Sequence, residues 1–221
     1  MTRLIIFDLD GTLLDTRQDI ADACNYALRM CGCPERNLSE YNMLVGRGIM
    51  NLFRGALPPD QRTDEMVLKM KSHFVPRYND HIADSTAPYP GIYDLLERLE
   101  AKGIAFAIAS NKYQEGTEIL AEKFFGRYGF VSILGQRSGM PIKPDPEIIR
   151  EVMSALPDIS AEEVIYCGDS DVDMQTGFNA GVRTVGVTWG FRTREELEAY
   201  RPWLTADSPE EICTAVLRDS E

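Results

Sequence analysis

The sequence predicts an α/β fold: a Rossmann-like parallel sheet of about five strands with helices on both faces, plus a small all-helical second domain. Three observations carry this expectation. Short apolar runs alternate with helical periods through most of the chain. The strand runs are mostly apolar, as expected of strands covered on both faces. One long interval, Thr16 to Asp84, carries helical patterning alone. The expected division is 1–15 and 85–221 for the core and 16–84 for the helical domain.

The first strand is read from Leu4-Ile5-Ile6-Phe7, which runs into Asp8-Leu9-Asp10-Gly11-Thr12. Ile20, Cys24, Leu28 and Cys31 then recur at helical spacing until Gly32 stops them. A second helical segment covers about Ser39 to Val45, Gly46-Arg47-Gly48 interrupts, and Ile49 to Leu57 resumes. Pro58-Pro59 breaks the chain before a charged amphipathic helix, roughly Thr63 to Ile82. The prolines and glycine of 87–91 suit a hinge. Beyond them, helices are expected at Gly91 to Lys102, Gln114 to Phe125, about Asp145 to Leu156 and Asp171 to Ala180. Strands are expected at Ile104 to Ala109, Phe130 to Leu134, Val164 to Cys167 and Thr184 to Thr188.

Composition narrows the class. At 221 residues, 44% hydrophobic and 26% charged, the chain reads as an ordinary globular protein with room for a large core. A formal net charge of -12 argues against a nucleic-acid or anionic-membrane partner, so an anionic substrate must be met by local positive charge. The longest aliphatic and aromatic run, Ile104 to Ala109, is far short of a membrane span. Asp8 interrupts the run that a signal peptide would need as its apolar centre. The odd set Cys24, Cys31, Cys33, Cys167 and Cys213 has no zinc-site spacing and reads as reduced thiols of a cytoplasmic protein. His73 and His81, the only histidines, lie in a polar helical stretch without a Ser or Cys elbow, which gives no support to a triad hydrolase.

Chemistry concentrates at the strand ends. In a parallel sheet the strand-to-helix junctions share one edge, where open α/β folds place their ligands. Here the first junction carries Asp8 and Asp10, the second Ser110-Asn111-Lys112, the third Lys143, and the fourth Gly168-Asp169-Ser170 with Asp173. Acids held this close repel unless a shared proton or a cation intervenes, and the further acids at another strand end favour the cation. Helices opening at the same edge add backbone N–H groups suited to phosphate oxygens. The assembly reads as a magnesium-dependent phosphate site.

With these residues in place, the chain resembles the haloacid dehalogenase-like phosphatase superfamily over essentially its whole length. Asp8 to Thr16 matches the first family motif, Ser110 the second, Lys143 the third, and Gly168-Asp169-Ser170 with Asp173 the fourth. The first of these is highly specific; a lone serine or lysine would carry nothing. The resemblance implies that Asp8 attacks phosphorus to form an aspartyl-phosphate and that Asp10 serves as acid and then base. It implies Mg2+ held by Asp8, the Asp10 carbonyl and Asp169, with Asp173 acting through water or as support. Ser110 and Lys143 would hold the phosphoryl oxygens, with Asn111, Gly11 and Thr12 lining the phosphate site. The helical segment occupies the place of the family's small cap.

Within that segment Gly46-Arg47-Gly48 is the expected specificity loop, Arg47 being suited to a carboxylate or second phosphate. Residues 45–52 and the tail (188–191, 194–197, 206–211) resemble phosphoglycolate phosphatases, in patterns partly shared with pyrophosphatases and other small-metabolite phosphatases. The alternatives are such enzymes, a β-phosphoglucomutase-like isomerase, and a non-enzymatic phosphate-binding regulatory module. The expected partner is a small phosphorylated metabolite, and the expected assembly a monomer or homodimer.

Overall fold

The computed structural model describes residues 1–219. Strand β1 (Leu4–Phe7) leads through a short β2 (Leu14–Asp15) into helices α1 (Arg17–Met30), α2 (Tyr41–Leu44), α3 (Ile49–Ala56) and α4 (Asp64–His81). The chain returns through β3 (Ala87–Pro88) and α5 (Ile92–Ala101) to β4 (Ala105–Tyr113) and α6 (Gln114–Phe125). Then come β5 (Ile133–Gln136), α7 (Glu147–Ser154), β6 (Val164–Gly168), α8 (Asp171–Ala180), β7 (Arg183–Val187), α9 (Arg194–Glu198), β8 (Leu204–Ala206) and α10 (Pro209–Arg218).

The main sheet has six strands in the order β5-β4-β1-β6-β7-β8, all neighbours parallel. This is one strand more than the sequence suggested. The addition is β8, a three-residue edge strand too short and too mixed in polarity to announce itself. β1 lies inside the sheet, so its side chains are buried on both faces. Ile5 and Phe7 join the cluster that runs into the helical segment, whereas Leu4 and Ile6 join Ile149, Val152 and Tyr166 beneath the other face. Strand alternation thus divides one apolar run between two cores. Among the described residues no helix is long and apolar enough to cross a membrane.

The helical interval is held by its own interior. Phe53 meets Phe74 edge-on at 5.2 Å, Phe74 stacks on Tyr78 at 5.1 Å, and Cys24, Leu28, Tyr41 and Met70 are fully buried around them. Thr63 starts α4 by accepting the Met66 N–H at 3.2 Å.

The two chain crossings into and out of this segment are tied together. Leu14 and Asp15 pair antiparallel with Pro88 and Ala87. The buried Asp19 on α1 accepts the backbone N–H groups of Ser85 (2.9 Å) and Thr86 (2.8 Å) and the Thr86 hydroxyl (2.7 Å). Asp19→Ala would strand these donors and is expected to destabilise the fold by about 3 kcal/mol. That lowers the melting midpoint by roughly 6 to 12 °C. An unchanged thermal melt would show that the return crossing is held by its strand pair alone.

Candidate active site

The carboxyl edge of β1 delivers Asp8 and Asp10, and both are buried. Asp8, Asp169 and Asp173 converge there, each offering a carboxylate oxygen within 4.8 Å of the others. Their counter-charge is Lys143, whose Nζ lies 3.0 Å from Asp8 Oδ1 and 2.7 Å from Asp173 Oδ1. The ammonium also donates to the Ala109 carbonyl (3.2 Å) and the Tyr166 hydroxyl (2.7 Å). Asp8 and Asp173 therefore share one buried ammonium, while the positive charge acting on Asp169 is that of Arg192.

Burial pushes the Asp8 carboxyl up to about 6, with Asp173 and Asp10 adding to the rise and Lys143 opposing it. Asp169 is driven well above the usual carboxylate range, by burial first and then by Asp173 and Asp8. On Lys143 the attraction of Asp173 and Asp8 outweighs burial, so its pKa rises and the charge is kept. Asp8 Oδ1 is buried, and Lys143 at 3.0 Å is its one close counter-charge among the described residues. A lone pair left open beside crowded acids suits a hard divalent cation, whose charge would relieve both desolvation and repulsion.

The acids are fitted by their surroundings. Gly11 has φ +86°, and a Cβ there would fall 2.4 Å from Asp169 Oδ2, so both the turn and the close approach require glycine. Asp169 accepts from the Phe191 N–H at 2.7 Å and lies 3.4 Å from the Thr12 hydroxyl. Asp173 belongs to a capping box opening α8: Ser170 Oγ accepts its N–H at 3.3 Å, and its Oδ2 accepts the Ser170 N–H at 3.1 Å. Both Asp173 oxygens are thus occupied, by Ser170 and by Lys143 with Tyr166. Such an acid is equipped to orient its neighbours.

β4 runs on to Tyr113, four residues past the expected end, through a register irregularity between Ala109 and Tyr113. The shift re-aims Ser110, Asn111 and Lys112 at the site. Ser110 and Asn111 line a chamber beside Asp8 and Asp10. The Asn111 amide donates to the carbonyls of Gly46 (3.0 Å) and Lys143 (3.1 Å), and its Oδ1 accepts the Lys143 N–H (2.8 Å). It thereby pins the Lys143 loop and the Gly46 loop to one strand end.

Gly46 and Gly48 also line the chamber. The Arg47 side chain instead leaves it: its guanidinium pairs with Asp171 at 2.7 Å and is half exposed. Asp171 is engaged by that arginine and lies 3.7 Å from the buried Arg192. Arg192 donates in turn to the Asn42 carbonyl of the helical segment. These contacts dock the helices over the strand ends.

The haloacid dehalogenase-like hydrolase family matches residues 5–187 of the chain. The chain belongs to that family. A phosphoglycolate phosphatase of Mesorhizobium japonicum is 32% identical over 200 residues, 88% of this chain and 86% of that protein. One from Aquifex aeolicus is 30% identical over 210 residues, covering 95% and 94% of the two chains. Among solved structures, a provisionally assigned phosphoglycolate phosphatase of Lactobacillus delbrueckii subsp. bulgaricus superposes with a TM-score of 0.89 at 30% identity, over 98% of this chain and 99% of that one. Within the haloacid dehalogenase-like hydrolases the chain accordingly resembles the phosphoglycolate phosphatases.

Site residues of this hydrolase to which sequence reasoning gave no individual role are Lys112, Tyr78, Tyr166 and Gly190. Lys112 Nζ sits 3.1 Å and 3.2 Å from the Asp10 oxygens and 2.7 Å from the Tyr78 hydroxyl of α4. Its signal was available, as a lysine directly following Ser110-Asn111 at a buried strand end. Tyr78 and Tyr166 had none, since an inward tyrosine in an apolar pattern reads as core. A Cβ on Gly190 would fall 2.2 Å from the Asp169 Cβ, a constraint visible only in three dimensions.

Proposed function

We propose that this hydrolase is a magnesium-dependent phosphatase that cleaves a small-molecule phosphate monoester through an aspartyl-phosphate, phosphoglycolate being the best-supported substrate. The observation that carries the reading is the convergence of Asp8, Asp169 and Asp173 at one strand edge, with Lys143 against Asp8 and Asp173, in a chain so similar to phosphoglycolate phosphatases. In this reading residues 1–15 and 85–219 form the catalytic core and 16–84 the cap.

Asp8 attacks phosphorus, forming an acyl phosphate as the ester P–O bond breaks. Asp10, facing the same chamber, gives its proton to the leaving oxygen and then takes one from the water that hydrolyses the intermediate. Lys143 and Ser110 hold the phosphoryl oxygens and spread the developing charge. Asp8, the Asp10 carbonyl and Asp169 would hold Mg2+, with Asp173 orienting Lys143 and Ser170. When bound, the ion supplies positive charge to the phosphoryl oxygens. The docked helices exclude bulk water from the acyl phosphate.

A screen of phosphoglycolate, pyrophosphate, sugar phosphates and nucleotides, with and without Mg2+, tests the reading. Phosphoglycolate should lead, with inorganic phosphate released; interconversion of phosphoglucoses with a bisphosphate primer would instead favour the isomerase.

Gly190→Ala tests the metal seat without touching a charge. The added methyl meets the Asp169 Cβ and, at 2.5 Å, the Gly11 carbonyl, so backbone must move. Overpacking of about 1 to 3 kcal/mol is expected to weaken Mg2+ binding roughly five- to a hundredfold by calorimetric titration. Unaltered affinity would remove Asp169 from the metal seat.

A further inference from the structure

A phosphate ester whose phosphorus faces Asp8 must send its leaving oxygen toward Asp10 and the rest of its body into the adjoining chamber. That chamber is walled mainly by Ile20, Leu44, Ile49, Leu52 and Phe74, all from the helical segment. Lys112 is its only basic lining residue among those described. The ammonium is nearly buried, sits 4.5 Å from the centre of the Tyr78 ring, and is held between the Tyr78 hydroxyl and Asp10. Arg47 is directed away, to Asp171.

We propose that Lys112 is the specificity-determining residue of the leaving-group chamber. Resting on the phosphatase reading above, the inference assigns the substrate class as phosphate esters of small α-hydroxy acids. Asp10 and Lys112 are neighbours, so a carboxylate on the carbon next to the ester oxygen meets the ammonium as the oxygen meets Asp10. The Tyr78 hydroxyl steers the ammonium from the helical segment, so the contact is complete only when that segment is docked. Polyol and nucleoside leaving groups are disfavoured because the apolar walls leave their hydroxyls without partners. Arg47 serves in docking, through Asp171.

The test compares kcat/KM for phosphoglycolate and for propyl phosphate, which has a similar chain and no second charge. Because Lys112 also holds Asp10, Lys112→Met slows both esters; the ratio isolates the carboxylate contact. The wild-type preference for phosphoglycolate is expected to fall roughly ten- to a hundredfold in Lys112→Met, mainly through KM. Tyr78→Phe keeps the ring and should give a smaller fall in the same direction. Arg47→Ala should lower both esters alike. Calorimetry of phosphoglycolate binding to Asp8→Asn, with and without Lys112→Met, reads the same contact without turnover. Should Lys112→Met not fold, the ratio in Tyr78→Phe decides. An unchanged ratio in the folded variants, a collapse of preference in Arg47→Ala, or a wild type indifferent to the carboxylate overturns the inference and leaves the phosphatase reading standing. Failure to hydrolyse any ester with Mg2+ rejects that reading itself.

Discussion

Asp8→Asn is expected to fold normally and to lose at least about a thousandfold in turnover on every phosphate ester, the loss lying in kcat. The amide keeps the shape of the side chain but cannot form the acyl phosphate. Stability points the other way. Asp8 is a buried carboxylate pushed up to about 6 by desolvation and by Asp173 and Asp10. Removing its charge relieves those repulsions, while Lys143 keeps its 2.7 Å partner Asp173. The metal-free variant should therefore melt no lower than the metal-free parent. Steady-state hydrolysis measured beside thermal melting separates the two effects. Parental turnover in the folded variant would eliminate covalent catalysis at Asp8; a large fall in melting temperature would mean that Asp8 supports the fold as well as the chemistry.

The acids of this site could be read from the chain because a parallel sheet converts sequence order into a common edge. Asp8 and Asp10 end an apolar run, and Asp169 and Asp173 follow another, so the strand pattern alone brings them together. Helices such as Gln114–Phe125 and Asp171–Ala180 fall where the periodicity put them, because Gly126 and Gly181 stop them. Strand β5 is displaced, expected at Phe130 to Leu134 and found at Ile133–Gln136. Phe130 owes its apolar character to packing on the Phe106 ring at 4.7 Å, outside the assigned strand.

What stayed hidden depends on contacts between segments. Lys112 and Tyr78 lie 34 positions apart and meet only because α4 docks over the end of β4. Arg47 shows the converse: a guanidinium between two glycines advertises an anion site, yet nothing in the local sequence reveals that Asp171 competes for it. Its placement transfers the question of leaving-group recognition to the one lysine inside the chamber. That residues 16–84 carry helices, as α1 to α4 do, was legible from the absence of strand patterning. The anchoring of this segment by Asp19 was not, because an aspartate in the first turn of a helix ordinarily reads as a dipole partner.

Magnesium is expected to control both activity and stability. Excess chelator should abolish turnover, and restoring Mg2+ should recover it. Calcium should bind but support little turnover, since its larger and looser coordination shell misplaces the attacking carboxylate. The stability effect follows from the charge imbalance of three buried carboxylates against Lys143. A cation that binds only the folded chain stabilises it by mass action, by about 2.7 kcal/mol at a hundred times its Kd. For a chain of this size that is a rise of roughly 5 to 10 °C in melting temperature. Asp169→Asn removes one ligand charge while the cradle of Gly11, Gly190 and the Phe191 N–H still fits its shape. It should melt at or above the metal-free parent, because the amide relieves the burial cost and the repulsion from Asp173 and Asp8 that raise this carboxyl, and the rise with Mg2+ should largely vanish. Full activity in chelator would contradict metal-assisted chemistry. An undiminished Mg2+-induced rise in Asp169→Asn would move the ion elsewhere, and with it the explanation for why these acids are gathered at one strand edge.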